Sequence, residues 1–281
     1  MKKFTFLVES EFNGYKIKDY LKRKIGLSEV IIKQIKYGGV RVNGEVVNMI
    51  KILHSRDEIE ITLPPETPNE FATAKKFPLK ILFEDDYFLA VFKPCGMPTH
   101  NSKGFSGTTL QEAVLGYFLP EKAVYRAINR LDRDTAGIVI IAKDHVSASL
   151  MGNEMKKGNF LKRYRALVCG KMENSHGVID LPIDRESLDS QKRIVSQLGK
   201  RAITEYFVER ELENNLTLLS IVLHTGRTHQ IRVHLAHVGH PLYADFLYGE
   251  RVENQTYYLV ANHVEFTHPF TKEKIVIKTN D

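Results

Sequence analysis

The chain has 281 residues, 43% of them hydrophobic, which is enough for one large core and a small satellite unit. Its formal net charge of +6 suits a polyanionic partner, and its two cysteines, Cys95 and Cys169, exclude a disulfide framework or a thiol zinc cluster and fit a reducing cytosol. The N-terminal apolar run is too short for a signal peptide and no later segment reaches membrane-spanning length, so the expectation is a soluble, cytoplasmic protein.

The first expected unit covers residues 13 to 63. Over residues 16 to 24, Ile17, Tyr20, Leu21 and Lys24 recur at helical spacing, giving one greasy face on a cationic helix. Ser28 is placed to cap a second helix over residues 29 to 36, which Gly38 and Gly39 end. Residues 40 to 47 read as two short strands about an Asn43-Gly44 turn, and residues 57 to 63 alternate as another strand. From Lys16 to Arg41 there are eight Lys or Arg against two acids, Asp19 and Glu29. That asymmetry marks a nucleic-acid surface or a solvated cationic face, with Lys22, Arg23, Lys24, Lys33 and Lys36 as candidate RNA contacts. Pro64, Pro65 and Pro68 break any strand or helix and mark a stiff linker. The expected division is therefore 1–63, a linker over 64–78, and 79–281.

In the second unit, residues 81–83 and 88–92 read as strands about Glu84-Asp85-Asp86. Thr109 caps a helix over 110–118, and Asp144 caps another that ends at Gly158-Asn159. Residues 160–168 alternate as a strand that places Lys162, Tyr164 and Ala166 on one face. Further strands fall near 202–209 and 216–224, and a helix over 228–238 is closed by Gly239. Several strands with dispersed helices give an α+β class.

Three places carry candidate chemistry. Residues 129–137 place Asp132 between Arg130 and Arg133, and Asp134 just after Arg133, at the mouth of a wholly apolar strand over 138–142. Opposed desolvation and ion pairing suit a nucleophile or general base there, whereas a surface turn of mutually neutralised charges is the plain alternative. The run from Thr225 to His234 is a glycine turn feeding a helix N-terminus, with Arg232 on the same face as Thr228 and His229. Ile231, Leu235 and Val238 form the buried stripe, so Arg232 sits beside the core, placed to pair with a buried acid or to lie on the surface. His224, His229, His234, His237 and His240 lack metal-ligand spacing and have Arg227 and Arg232 among them, so no metal is expected. Tyr164, flanked by Lys162, Arg163 and Arg165, is either core packing or a stacking platform for a base. There is no Walker A loop, dinucleotide glycine fingerprint or serine-hydrolase elbow.

These residues carry a resemblance. Asn129-Arg130-Leu131-Asp132-Arg133-Asp134-Thr135-Ala136-Gly137 resembles the His-Arg-Leu-Asp-x-x-Thr-Ser-Gly signature of RluA/RluD-type RNA pseudouridine synthases. Further blocks match in order: Leu82 to Asp86 through Lys93-Pro94-x-Gly96; Lys162-x-Tyr164-x-Ala166-x-Val168-x-Gly170; Thr225 to His234; Gly239-His240-Pro241-Leu242-x-x-Asp245; and His268-Pro269. The resemblance spans about residues 79–278, and residues 13–63 resemble the small αL, S-four-type RNA-binding domain, with Arg56-Asp57 where that pattern has Gly-Asp. It implies a catalytic domain with a mixed, mainly antiparallel sheet flanked by helices, joined to an N-terminal RNA-binding domain.

By resemblance, Asp132 is the catalytic aspartate, Tyr164 the active-site tyrosine and Arg232 the salt-bridge partner of Asp132. Arg130 resembles the arginine that enters the RNA stack when a uridine flips out, and Lys162, Arg227 and His229 are further RNA contacts. The implied partner is RNA, large-subunit ribosomal RNA ahead of transfer RNA, and the implied protein is a monomer with no cofactor, metal or membrane. Asn129 in place of histidine, Ala136 in place of serine and Val260 in place of a histidine depart from the pattern. The first two leave open a non-catalytic RNA-binding or ribosome-assembly factor that keeps the fold; an aspartate-dependent N-glycosidase would use the same acid.

Overall fold

A computed structural model of the chain describes residues 2–65, 73–101, 104–120, 123–187 and 189–279; residues 66–72 of the expected linker lie outside the described residues. The N-terminal unit holds strand β1 (Lys3–Leu7), helices α1 (Ile17–Tyr20) and α2 (Glu29–Ile35), and strands β2 (Val40–Val42), β3 (Glu45–Val46) and β4 (Glu58–Thr62). The expected cationic helix is α1 continued by one π turn, Leu21–Ile25, and its greasy positions Ile17, Tyr20 and Leu21 are fully buried. Ser28 caps α2 by accepting the Ile31 N–H at 3.4 Å. Asn43 and Gly44 both take positive φ, the backbone a two-residue hairpin turn needs to match strand twist. Strand β1, not expected from the sequence, pairs antiparallel with β4 and completes a four-stranded sheet ordered β1-β4-β2-β3.

The second unit continues with β5 (Lys80–Glu84), β6 (Phe88–Lys93), α3 (Leu110–Tyr117), β7 (Ala136–Ala142), α4 (His145–Lys156) and β8 (Phe160–Cys169). After β9 (His176–Asp180), β10 (Ile183–Arg185) and β11 (Arg193–Val195) come the long β12 (Ile203–Leu212) and β13 (Leu216–Leu223). Helix α5 (Gln230–His237), β14 (Leu259–Thr267) and β15 (Lys274–Lys278) close the chain. Nine of these strands form one sheet, ordered β5-β6-β7-β14-β8-β13-β12-β9, with β15 on β14. Among the described residues only β7 and β14 run parallel, so the α+β fold with a mixed, mainly antiparallel sheet is the one adopted. Thr109 and Glu112 form a capping box on α3, and the Asp144 carboxylate accepts the Ser147 N–H at 2.7 Å on α4.

One face of this sheet packs Leu110 and Val114 of α3 and Ile231 and Leu235 of α5 against Val139, Ala166, Leu219 and Ile221. The other face packs Met151 of α4 against Phe88, Ile140 and Val264. The opposite side of α4 inserts Val146 and Leu150 into the N-terminal core beside Ile17, Leu21 and Ile59. Stacking of Phe270 on both Tyr87 (3.9 Å) and Phe4 (5.8 Å), and a 2.7 Å Lys2–Asp144 pair, add to that contact. The two units are thus in direct apolar contact.

Two local devices set the entrance of β7. Its parallel contact with β14 lasts two residues, Ala136 and Gly137, before β15 takes over that side of β14. Gly137 has φ +125, and a Cβ there would lie 2.4 Å from the Ala261 carbonyl oxygen, so only glycine permits this approach. Farther along the same edge of β7, whose opposite edge is filled by β6, residues 126–128 bond to it through Ala142 N–Arg126 O and Ile128 N–Ile140 O. Where the backbone turns away, the buried Asn129 amide takes over: Nδ2 donates to Ile138 O at 3.0 Å and Oδ1 accepts the Ile140 N–H at 2.9 Å. One donor and one acceptor in a single side chain continue the ladder and release residues 130–135 as a loop.

Candidate active site

That loop enters a cavity of about 400 Å³, bounded by residues 128–135, strand β8, the end of β13 and the start of α5. Asp132, Tyr164, Arg232, Arg130, Lys162, Arg227 and His229, from three distant stretches of the sequence, all line it. The cationic set Lys22, Arg23, Lys24, Lys33 and Lys36 lies away from it, on the π turn that continues α1, on α2 and on the residue that follows α2. Of these, Lys22, Arg23, Lys33 and Lys36 are exposed, while Lys24 is half-buried against Glu9.

The loop is clamped from below by the segment that follows β6. Lys93 is fully buried, and its ammonium donates to Pro94 O, Met97 O and Arg133 O at 3.0, 2.7 and 2.9 Å. Burial pushes its pKa down to about 8, with the nearby Cys95, Asp134 and Asp132 opposing the shift. Thr99 both donates to Leu131 O (2.7 Å) and accepts the Leu131 N–H (3.2 Å). Asp134 is forked by its neighbour Arg133, both contacts at 2.9 Å, which leaves Asp132 as the carboxylate that faces the cavity. Its side chain is 21% exposed, half-sheltered and reachable. The motif block Lys93-Pro94-x-Gly96 does not by itself reveal this clamp; a lysine at the end of an apolar strand is the signal for it in the sequence.

The electrostatics around Asp132 differ from expectation. Arg232 does not pair with Asp132; its guanidinium is forked onto Asp245, Nε to Oδ2 and Nη2 to Oδ1, both at 2.7 Å. Asp245 is fully buried, and the Gly239-His240-Pro241 turn brings it back beneath α5, so Arg232 takes this better desolvated carboxylate. Burial works against the Arg232 charge, but the Asp245 hydrogen bonds, together with the charges of Tyr257, Asp245 and Asp132, outweigh it and hold its pKa up. Tyr257 and Tyr248 lie over the guanidinium at 4.5 and 4.9 Å. The basic group within 4.0 Å of Asp132 is His229, through Nε2 and Oδ2.

Helix α5 begins two residues later than expected because His229 takes the left-handed conformation, φ +57 and ψ +18. Val238, assigned to the buried stripe, is 40% exposed because α5 ends at His237 and Gly239, φ +89, turns the chain outward. Gln230 fastens the turn that precedes the helix: its oxygen accepts from Thr225 Oγ1 and Arg227 N, and its nitrogen donates to Ile203 O. The histidines of this region are dispersed. His224 meets Glu205, His234 bonds Thr204 Oγ1 and Leu181 O, and His240 bonds Cys169 O.

Tyr164 is 5% exposed, and its ring presents a sheltered face on β8 one strand from the Asp132 loop. Burial, with the Asp132 charge adding, raises its pKa far above the usual tyrosine range. Lys162 sits on the same face of β8, and burial pushes its pKa down. A carboxylate, a protonated phenol, a neutral imidazole and a charge-balanced arginine thus converge on one pocket rimmed by the exposed Arg130.

A family model described as RNA pseudouridylate synthase matches residues 87–237, the stretch that contains Asp132, Tyr164 and Arg232. The chain belongs to the RNA pseudouridine synthase family. It is an isomerase acting on RNA. The chain is 33% identical to the uncharacterized RNA pseudouridine synthase YjbO of Bacillus subtilis (strain 168), over 92% of this chain and 93% of the relative. It is 36% identical to ribosomal large subunit pseudouridine synthase D of Pasteurella multocida (strain Pm70), over 75% of this chain and 65% of that protein. The solved structure of human RNA pseudouridylate synthase domain containing 1 superposes with a TM-score of 0.61 at 26% identity, over 73% of this chain and 84% of that one.

Proposed function

We propose that this isomerase converts specific uridines of structured RNA, in the large ribosomal subunit, to pseudouridine, with Asp132 as the catalytic carboxylate. The observation that carries this reading is the convergence of Asp132, Tyr164 and Arg232 on one cavity whose mouth bears Arg130. Isomerisation breaks N1–C1′, turns the uracil and rejoins it through C5. One proton leaves C5 and one arrives at N1, so the change is redox-neutral and needs no group-transfer cofactor. The base reaches the cavity only if it leaves the RNA stack, at a cost of a few kcal/mol that phosphate contacts offset. Arg130 occupies the vacated place in the stack, and Lys162, Arg227 and His229 contact the flipped nucleotide and its neighbours.

Asp132 acts on the sugar or the ring while ionised, and Tyr164 holds the freed uracil against its face and excludes water. Because burial keeps its phenol protonated, Tyr164 serves as a stacking face and donor, not as a phenolate base. The unit over residues 1–63 acts as an S-four-like RNA-binding domain, with Lys22, Arg23, Lys24, Lys33 and Lys36 toward the backbone. The likeness to ribosomal large subunit pseudouridine synthase D, together with that domain, supports ribosomal RNA ahead of transfer RNA. The departures behind a non-catalytic reading weaken on inspection. The Asn129 amide is engaged by Ile138 and Ile140, and Ala136 lies in the β7 ladder. The test is Asp132→Asn, assayed by tritium release from C5-labelled uridine in transcribed RNA. Release should vanish, and unchanged release would reject the reading. Carbodiimide mapping in cells lacking the gene should lose signal in large-subunit RNA; loss confined to transfer RNA would reject the substrate assignment.

A further inference from the structure

We infer that His229 is a positioning residue for Asp132, held in one tautomer by Tyr248, which the backbone of Arg193 in turn fixes; this rests on the synthase reading above. His229 Nδ1 lies 2.9 Å from the Tyr248 hydroxyl, and that same oxygen accepts the Arg193 N–H at 2.8 Å. With a backbone donor already pointing at its oxygen, the phenol satisfies both contacts by turning its own hydrogen toward Nδ1. Nδ1 is then the acceptor, the ring proton sits on Nε2, and Nε2 is the nitrogen that faces Asp132 Oδ2 across 4.0 Å. That separation is too long for a hydrogen bond and short enough to close when substrate enters.

The backbone holds this imidazole in a conformation that histidine does not favour. His229 holds φ +57 at the first position before α5, where asparagine or glycine would sit with less strain. Tyr248 packs edge-on to the ring at 5.7 Å, which fixes its plane. The charges facing His229 are Asp132 and Asp245, which favour its protonated form, and Arg232 and Arg193, which oppose it, with the neutral Tyr248 hydroxyl at Nδ1. Burial adds to the arginines and keeps the ring neutral at pH 7. A neutral Nε2–H donor orients an ionised Asp132 without discharging it. A cationic ring would instead close into an ion pair and take the carboxylate out of reaction. The device also ties the β10–β11 hairpin, through Arg193, to the acid at the centre of the pocket.

Three measurements on the full chain test this. In histidine-15N-labelled protein, the His229 ring should show a bare Nδ1 and a protonated Nε2, and Tyr248→Phe should mix the tautomers; a protonated Nδ1 in the unmodified protein overturns the inference. In single-turnover tritium release on C5-labelled RNA, His229→Asn, which keeps the left-handed backbone, and Tyr248→Phe should each slow the chemical step about 10- to 100-fold, a loss larger than any accompanying loss of RNA affinity. The acid limb of the pH–rate profile should move to lower pH in His229→Asn, because a protonated ring no longer captures Asp132. Loss of RNA affinity alone, or a Tyr248→Phe rate and profile like the parent's, overturns it by reducing His229 to an RNA contact. A parent protein that makes no pseudouridine overturns the synthase reading and this inference together; active parent with unaffected variants overturns this inference alone.

Discussion

The partner choice of Arg232 can be tested by comparing two isosteric substitutions, Asp245→Asn and Asp132→Asn. Asp245 is fully buried and the Arg232 side chain is 4% exposed, so their mutual charge has almost no access to water. Asp245 also accepts the Leu247 and Tyr248 N–H groups at 3.0 and 3.3 Å, which anchors the segment carrying Tyr248. Asparagine at 245 turns one acceptor into a donor that faces the guanidinium and leaves a buried cation uncompensated. Breaking such a pair costs about 3–5 kcal/mol. At 1.4 kcal/mol per decade the folding constant falls on the order of a thousandfold. Asp132, 21% exposed with a neutral imidazole 4.0 Å away, has no comparable partner, so Asp132→Asn should change stability by less than about 1 kcal/mol. Urea unfolding followed by circular dichroism, with equal slopes for all three proteins, reads both differences. The reasoning fails if Asp245→Asn matches the parent, or if Asp132→Asn loses as much as Asp245→Asn, which would return Arg232 to Asp132.

Two further stability measurements follow from the clamp and the ladder. Asn129→Leu should cost about 2–5 kcal/mol in urea unfolding, because Ile138 O and Ile140 N are left buried without partners. Asn129→His should recover much of this at pH 8 and lose it at pH 5, where a second ring proton removes the acceptor facing Ile140 N; equal stability at both pH values would refute this role. For Lys93, burial moves the pKa from the ordinary 10.5 to about 8 in the fold. Between those values the unfolded chain binds the extra proton, so the Lys93 contribution to stability rises with pH, by about 3 kcal/mol at most, and is flat below pH 8. Lys93→Met should therefore gain less stability than the parent between pH 8 and 9.5, and a parallel profile would refute the assignment.

Much of the local structure was legible because its causes are local. Ser28, Thr109 and Asp144 cap helices wherever those helices pack, and Asn43-Gly44 turns a hairpin by its own backbone preference. The alternation over 160–168 placed Lys162 and Tyr164 on one face of β8, and both face the cavity. Short strands such as β9, β10 and β11 carry too few residues for a period to register, and β1 lies where the sequence shows only a brief apolar run. The late start of α5 depends on a left-handed histidine that no composition rule favours.

The amino-acid order by itself determined the α+β class, the residues gathered at the pocket and the basic bias of the first unit, since burial periodicity, caps and ordered blocks are written along the chain. Tertiary structure alone decided that Arg232 holds Asp245 and not Asp132, that His229 is the group facing the acid, that Lys93 clamps the loop, and that α4 joins the two units. Ion-pair choice and the meeting of faces depend on distances between residues far apart in sequence, where small differences in approach and desolvation select one partner among several of the same charge.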